Sequence, residues 1–126
     1  MVITKLEENE IFVFGSNTIG RHGKGAALFA KINFGAINGV GEGIQGKSYG
    51  IPTKGSNMSR SLLLEEIEKY VINFILYAEE NPHKVFLVTE IGCGLAGYKP
   101  EDIAPMFKQR SNNVILPKSF ILCLQN

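Results

Sequence analysis

Ile11-Phe12-Val13-Phe14-Gly15-Ser16-Asn17 is the stretch whose reading decides the fold. Four apolar, strand-forming residues stop on a glycine, and a glycine-punctuated segment follows. The pattern recurs later, where Val85-Phe86-Leu87-Val88 runs toward Gly92, Gly94 and Gly97. Eleven of the 14 glycines lie between Gly15 and Gly55, and Ser56 to Ile91 contains none. Glycine loops at the ends of strands let backbone amides approach a phosphorylated ligand closely. The distribution therefore points to a nucleotide-like anion.

Working outward, the remaining elements follow from periodicity and punctuation. Gly25–Phe34 reads as a helix with Gly35 as its stop. Asn38–Lys47 is too rich in glycine for either regular structure, and Ser48–Thr53 reads as a short strand ending at Pro52. From Arg60 to Glu79, apolar residues at Leu63, Ile67, Tyr70, Val71, Phe74, Ile75 and Ala78 keep the 3.6-residue repeat of a helix. Asn81-Pro82 ends it. Lys84–Thr89 reads as a strand buried on both faces. Pro100 opens a helix to about Gln109, with Glu101 and Asp102 in its first turn. Asn113–Leu116 and Ser119–Leu124 read as strands, or as one strand bent at Pro117. The alternation implies a single α/β domain over residues 1–126, with a mostly parallel sheet and ligands at the strands' C-terminal ends.

Composition narrows the class. The apolar and charged fractions, 44% and 20%, are those of an ordinary globular domain. Net charge is +1, yet residues 15–60 hold six basic residues against one acid, Glu42. Positive charge thus coincides with the glycine cluster. Little aromatic interleaving there argues against a nucleic-acid surface. Cys93 and Cys123, with His22 and His83, form no zinc-like spacing, so no metal and no cofactor is expected. Two unpaired cysteines, a charged N-terminus and no long apolar stretch suit a reduced, cytoplasmic setting away from membranes.

Two segments match the G-x-G-x-x-G spacing. Gly41–Gly46 precedes a strand instead of following one. Gly92–Gly97 has the right context, but Pro117-Lys118 stands where a dinucleotide fold needs an acid. Gly20-Arg21-His22-Gly23-Lys24-Gly25 lacks the hydroxyl that a P-loop places after its lysine. What survives is a glycine loop feeding a helix N-terminus.

The combination of Phe14-Gly15-Ser16-Asn17, Arg21-His22-Gly23-Lys24-Gly25-Ala26-Ala27, Tyr49-Gly50-Ile51-Pro52-Thr53-Lys54 and Ile91–Tyr98 resembles the macro domain family. It is most similar to compact macro-like proteins of phages and bacteria, over about residues 11–124. The resemblance implies a three-layer α/β/α fold that binds ADP-ribose or a related nucleotide, free or on an ADP-ribosylated protein. It implies a first wall of Gly15, Ser16 and Asn17, with Asn17 on the distal ribose. The diphosphate would lie on the loop and helix start formed by Gly20, Gly23, Lys24, Gly25 and Ala26. Gly92, Cys93, Gly94, Leu95, Ala96, Gly97 and Tyr98 would close over it.

The chain also departs from the family. Phe14 replaces the earlier of two usual asparagines, Lys24 stands where hydrolases carry an aspartate, and Ala96 replaces an aromatic that Tyr98 could supply. The implied activity is hydrolysis of a substituent on the distal ribose, with Asn17 and His22 as catalytic candidates. The alternative is a non-catalytic module that reads or sequesters the ligand. Thr53 and Lys54 flank the site on this reading, although a turn after Pro52 explains them equally. Glu90 is a base or an exposed strand-end acid, and Cys93 a nucleophile or a packing residue.

Overall fold

The computed structural model describes residues 3–57 and 60–125. Its elements run β1 (Glu10–Asn17), α1 (Gly25–Asn33), β2 (Gly43–Gln45), β3 (Ser48–Lys54), α2 (Leu64–Glu80) and β4 (Val85–Val88). They continue with α3 (Pro100–Ile103), a 3-10 turn (Ala104–Phe107), β5 (Val114–Ile115) and α4 (Lys118–Leu124). The five strands lie in the order β2-β3-β1-β4-β5. β1 is parallel to β3 and β4, β5 is parallel to β4, and β2 alone is antiparallel. This is the mostly parallel, mixed sheet expected from the alternation.

Alternation along β1 divides the core. Ile11 and Val13 face the larger cluster, with Ile67, Val71 and Phe74 of α2, Phe107 and Phe120. Phe12 and Phe14 face the other side, against Ala27, Ala30 and Phe34 around α1. The layers are thus α1, sheet, and α2 with α3 and α4. Edge-on ring pairs, Tyr49–Phe74 at 5.1 Å and Phe74–Phe86 at 5.5 Å, fill the thicker side.

Several boundaries differ from expectation. β1 runs three residues further, because Gly15, Ser16 and Asn17 still pair with Ile51, Pro52 and Lys54. Pro52 does not end β3. β2 pairs only as far as Gly50, so β3 is locally an edge where the missing N–H costs nothing. The glycine-rich segment 38–47 contains β2, whose Ile44 pairs with Tyr49. α2 begins at Leu64, with the Glu66 carboxylate accepting the Leu63 N–H at 2.9 Å. Leu63 therefore caps the helix, 52% exposed, instead of joining its buried stripe.

β4 alternates half-buried Val85 and Leu87 with buried Phe86 and Val88, so only one of its faces is fully covered. The helix at Pro100 is one turn, passing into a 3-10 turn where Pro105 cannot donate a helical bond. Ser119–Leu124 is helix, not strand. A six-residue apolar run has no period to distinguish the two. Here the N–H groups of Phe120 and Ile121 turn back onto the Pro117 carbonyl, and only Phe120 is fully buried.

Candidate functional site

A cleft of about 780 Å³ opens at the C-terminal ends of β1, β3 and β4. Its floor is Gly15, Ser16 and Asn17 of β1, with Thr53 and Lys54 of β3. One wall is the start of α1, from Gly23 to Ala27; the other is the loop from Thr89 to Ala96. The pairing register between β1 and β3 slips within this floor, between Ser16 and Asn17.

The wall at α1 is made of amides. Lys24 is the N-cap with extended backbone, its side chain makes no capping bond, and the first turn holds no acid. Among the described residues, the N–H groups of Gly23, Lys24, Gly25, Ala26 and Ala27 reach no protein acceptor. Gly23 to Ala26 are exposed. A helix start without cap or acid leaves its orphan donors and its partial positive charge for a ligand. Across the cleft, the N–H groups of Gly94, Leu95 and Ala96 are equally free among the described residues. That loop is tied back by the Tyr98 N–H to the Gly92 carbonyl at 2.8 Å. The Tyr98 hydroxyl donates to the Leu62 carbonyl and the Ser61 hydroxyl to the Ala96 carbonyl. Exposed Arg21 and Lys24, with half-buried Lys54, make the rim positive, and Glu90 is the one carboxylate among the lining residues.

Polar side chains on the floor are engaged in structure. The Ser16 hydroxyl donates to the Gly41 carbonyl, and that of Thr53 to the Ser16 carbonyl at 3.3 Å. Asn17 is 4% exposed; its amide donates to the Arg21 carbonyl at 2.8 Å and accepts the Arg21 N–H at 2.9 Å. Its side chain therefore closes the loop leading to α1. Glu90 accepts a hydrogen bond from the Ser119 hydroxyl. Burial, then the nearby Glu90 carboxylate, pushes the Cys93 thiol up to about 11, so it stays protonated near neutrality.

Of the residues singled out from the sequence, Gly15, Ser16, Asn17, Gly23, Lys24, Gly25, Ala26, Thr53, Gly92, Cys93, Gly94, Leu95 and Ala96 line this cleft. Gly20, His22, Gly97 and Tyr98 do not. His22 is the main correction. It is 1% exposed, with its ring turned into the protein against Val40, Gln45 and Phe14, so it is not placed as an acid or base for a ligand in the cleft. Gly20 instead packs on the backbone of Gly39 and Val40, where a Cβ would lie 2.4 Å from the Val40 nitrogen. Tyr98 anchors its loop from behind. Arg21 and Ala27 also line the cleft. Both stood in the quoted Arg21–Ala27 motif without a role assigned to them.

No protein-family model matches this chain, and no curated protein does. Two solved structures share its fold. The macrodomain of Mycobacterium tuberculosis DarG is similar with a TM-score of 0.65 and 19% identity, over 92% of each chain. Thermosipho africanus DarTG, solved in complex with ADP-ribose, is similar with a TM-score of 0.59 and 18% identity. This match covers 90% of the present chain and 43% of that one. The chain therefore has the macrodomain fold, an α/β/α sandwich about a mixed sheet. Among the described residues no helix is long and apolar enough to cross a membrane, and no three His, Cys, Asp or Glu side chains group as metal ligands.

Proposed function

We propose that this protein binds ADP-ribose or an ADP-ribose-derived nucleotide in the cleft, with the diphosphate on the start of α1. The row of free amides from Gly23 to Ala27 carries this reading. Consecutive N–H groups at a helix start are suited to a dianionic diphosphate. Arg21 and Lys24 add charge, and the Gly94–Ala96 amides close the other side. The likeness to a DarTG structure holding ADP-ribose supports the choice among phosphorylated ligands. Asn17 serves by holding the Arg21 loop, and Gly15 gives the ligand backbone instead of side chain.

A second reading, hydrolysis of a substituent on the distal ribose, rests on Lys24. Lys24 lies exposed on the cleft wall, and its side chain makes no capping bond to the helix it begins. In hydrolysis, water adds to the ribose carbon as the substituent leaves with the bonding electrons, and a lysine side chain close to the departing oxygen would stabilise its developing negative charge.

Calorimetric titration with ADP-ribose, against AMP and NAD as controls, tests the first reading. Selective micromolar binding is the expected result, and no binding by folded protein refutes it. Single-turnover assays on ADP-ribose 1″-phosphate and on ADP-ribosylated protein test the second. Turnover lost in Lys24→Ala supports hydrolysis; bound but unprocessed ligand leaves a reader.

A further inference from the structure

The Gly41–Gly46 motif has no place in the cleft, yet its residues lie directly behind the loop that carries the amide row. The Ser16 hydroxyl donates to the Gly41 carbonyl, and a Cβ at Gly41 would lie 2.3 Å from the Asn17 carbonyl oxygen. The Gly39 N–H donates to the Gly20 carbonyl at 2.9 Å. The Gln45 side chain, 3% exposed, is the hub. Its oxygen accepts the Ile37 N–H at 2.8 Å, and its amide nitrogen donates to the Val40 carbonyl at 2.9 Å.

His22 meets this hub from the loop. Its Nε2 lies 3.0 Å from both the Val40 carbonyl and Gln45 Oε1. Both are acceptors, because the Gln45 amide orientation is fixed by the Ile37 and Val40 bonds. Nε2 therefore carries the proton and donates. Among the described residues Nδ1 is buried without a hydrogen-bond partner, while the ring packs edge-on to Phe14 with centroids 5.3 Å apart. The His22 N–H donates to Asn38 Oδ1 at 3.1 Å. The next residue, Gly23, begins the free amides. His22 is thus the last point at which the loop is held before the row.

We infer that His22 and Gln45 are a buried positioning pair that presets the Gly23–Ala27 amides for an anion. The inference rests on the nucleotide-binding reading above. A loop fixed before binding loses less conformational freedom on binding, so the pair contributes to affinity without touching the ligand.

The test compares His22→Leu, which keeps volume but cannot donate, with His22→Gln, which can place a donor near the Nε2 position. Each is titrated with ADP-ribose and with pyrophosphate. Amide hydrogen exchange at Gly20–Lys24 is read in the free proteins, and the His22 tautomer by nitrogen NMR in free and bound wild type. His22→Leu is expected to lose about tenfold or more in affinity and to exchange faster at Gly20–Lys24, as for loss of one buried hydrogen bond. His22→Gln is expected to recover most of both. The tautomer is expected to stay Nε2–H when ligand binds. Should His22→Leu not fold, Asn38→Ala removes the acceptor of the His22 N–H at an exposed position and is expected to show the same two changes, smaller. Unchanged affinity in His22→Leu, or a tautomer change on binding, overturns the inference. If wild type binds neither probe, the nucleotide reading falls, and the exchange rates still decide whether the pair holds the loop.

Discussion

Replacing Ala26 by proline deletes one amide of the proposed anion site without touching a side-chain contact. Ala26 is the second residue of α1, exposed, with helical backbone and an N–H that reaches no acceptor among the described residues. Proline is tolerated in the first helical turn because its missing N–H has no helical partner there. Folding stability should therefore change little. A hydrogen bond to a charged group is worth about 1.5–3 kcal/mol. At about 1.4 kcal/mol per decade, the affinity for ADP-ribose or pyrophosphate should fall about 10- to 150-fold. Ala26→Gly is the paired control. It keeps the N–H but weakens the helix by up to about 1 kcal/mol, lowering Tm by about 3–4 °C with affinity nearly unchanged. The two variants should move stability and affinity in opposite patterns, read by calorimetric titration and thermal unfolding. Equal affinities for Ala26→Pro and wild type would refute the placement of the anion at the start of α1.

Other outcomes follow from the same structure. Cys93, with its thiol raised from 9.0 to about 11, should alkylate slowly at pH 7–8 and faster as pH rises. Because the folded value is the higher one, its contribution to stability is whole below pH about 9 and is lost as pH rises through about 11; pH-dependent unfolding of wild type and Cys93→Ser checks this. Phe74→Ala should cost about 3–5 kcal/mol in denaturant unfolding, since Phe74 is fully buried against Tyr49, Phe86 and Phe107. Gly41→Ala should cost about 1–3 kcal/mol and disturb the cleft floor, because the added methyl meets the Asn17 carbonyl at 2.3 Å. A near-wild-type Tm and unchanged ligand affinity would show that the backbone there yields freely.

The sequence by itself determined the α/β class, because Ile11–Phe14 and Val85–Val88 are short apolar runs and Ile67–Ala78 keeps a helical period; each signal is local. It also located the two glycine loops and the helix start that frame the cleft. It could not tell helix from strand at Ser119–Leu124, where neither period is expressed, nor foresee that Gly43–Gln45 adds an edge strand, which depends on the partner Ser48–Gly50. The roles of the polar residues were decided only by tertiary structure. His22 and Asn17 look alike on paper as candidate catalysts, yet the Val40 carbonyl and the Gln45 side chain, 18 and 23 residues away, turn His22 inward. The loop's own path brings Arg21 back onto Asn17. Which hydrogen-bond partners a side chain finds is a property of chain segments brought together from afar, and spacing along the chain does not record it.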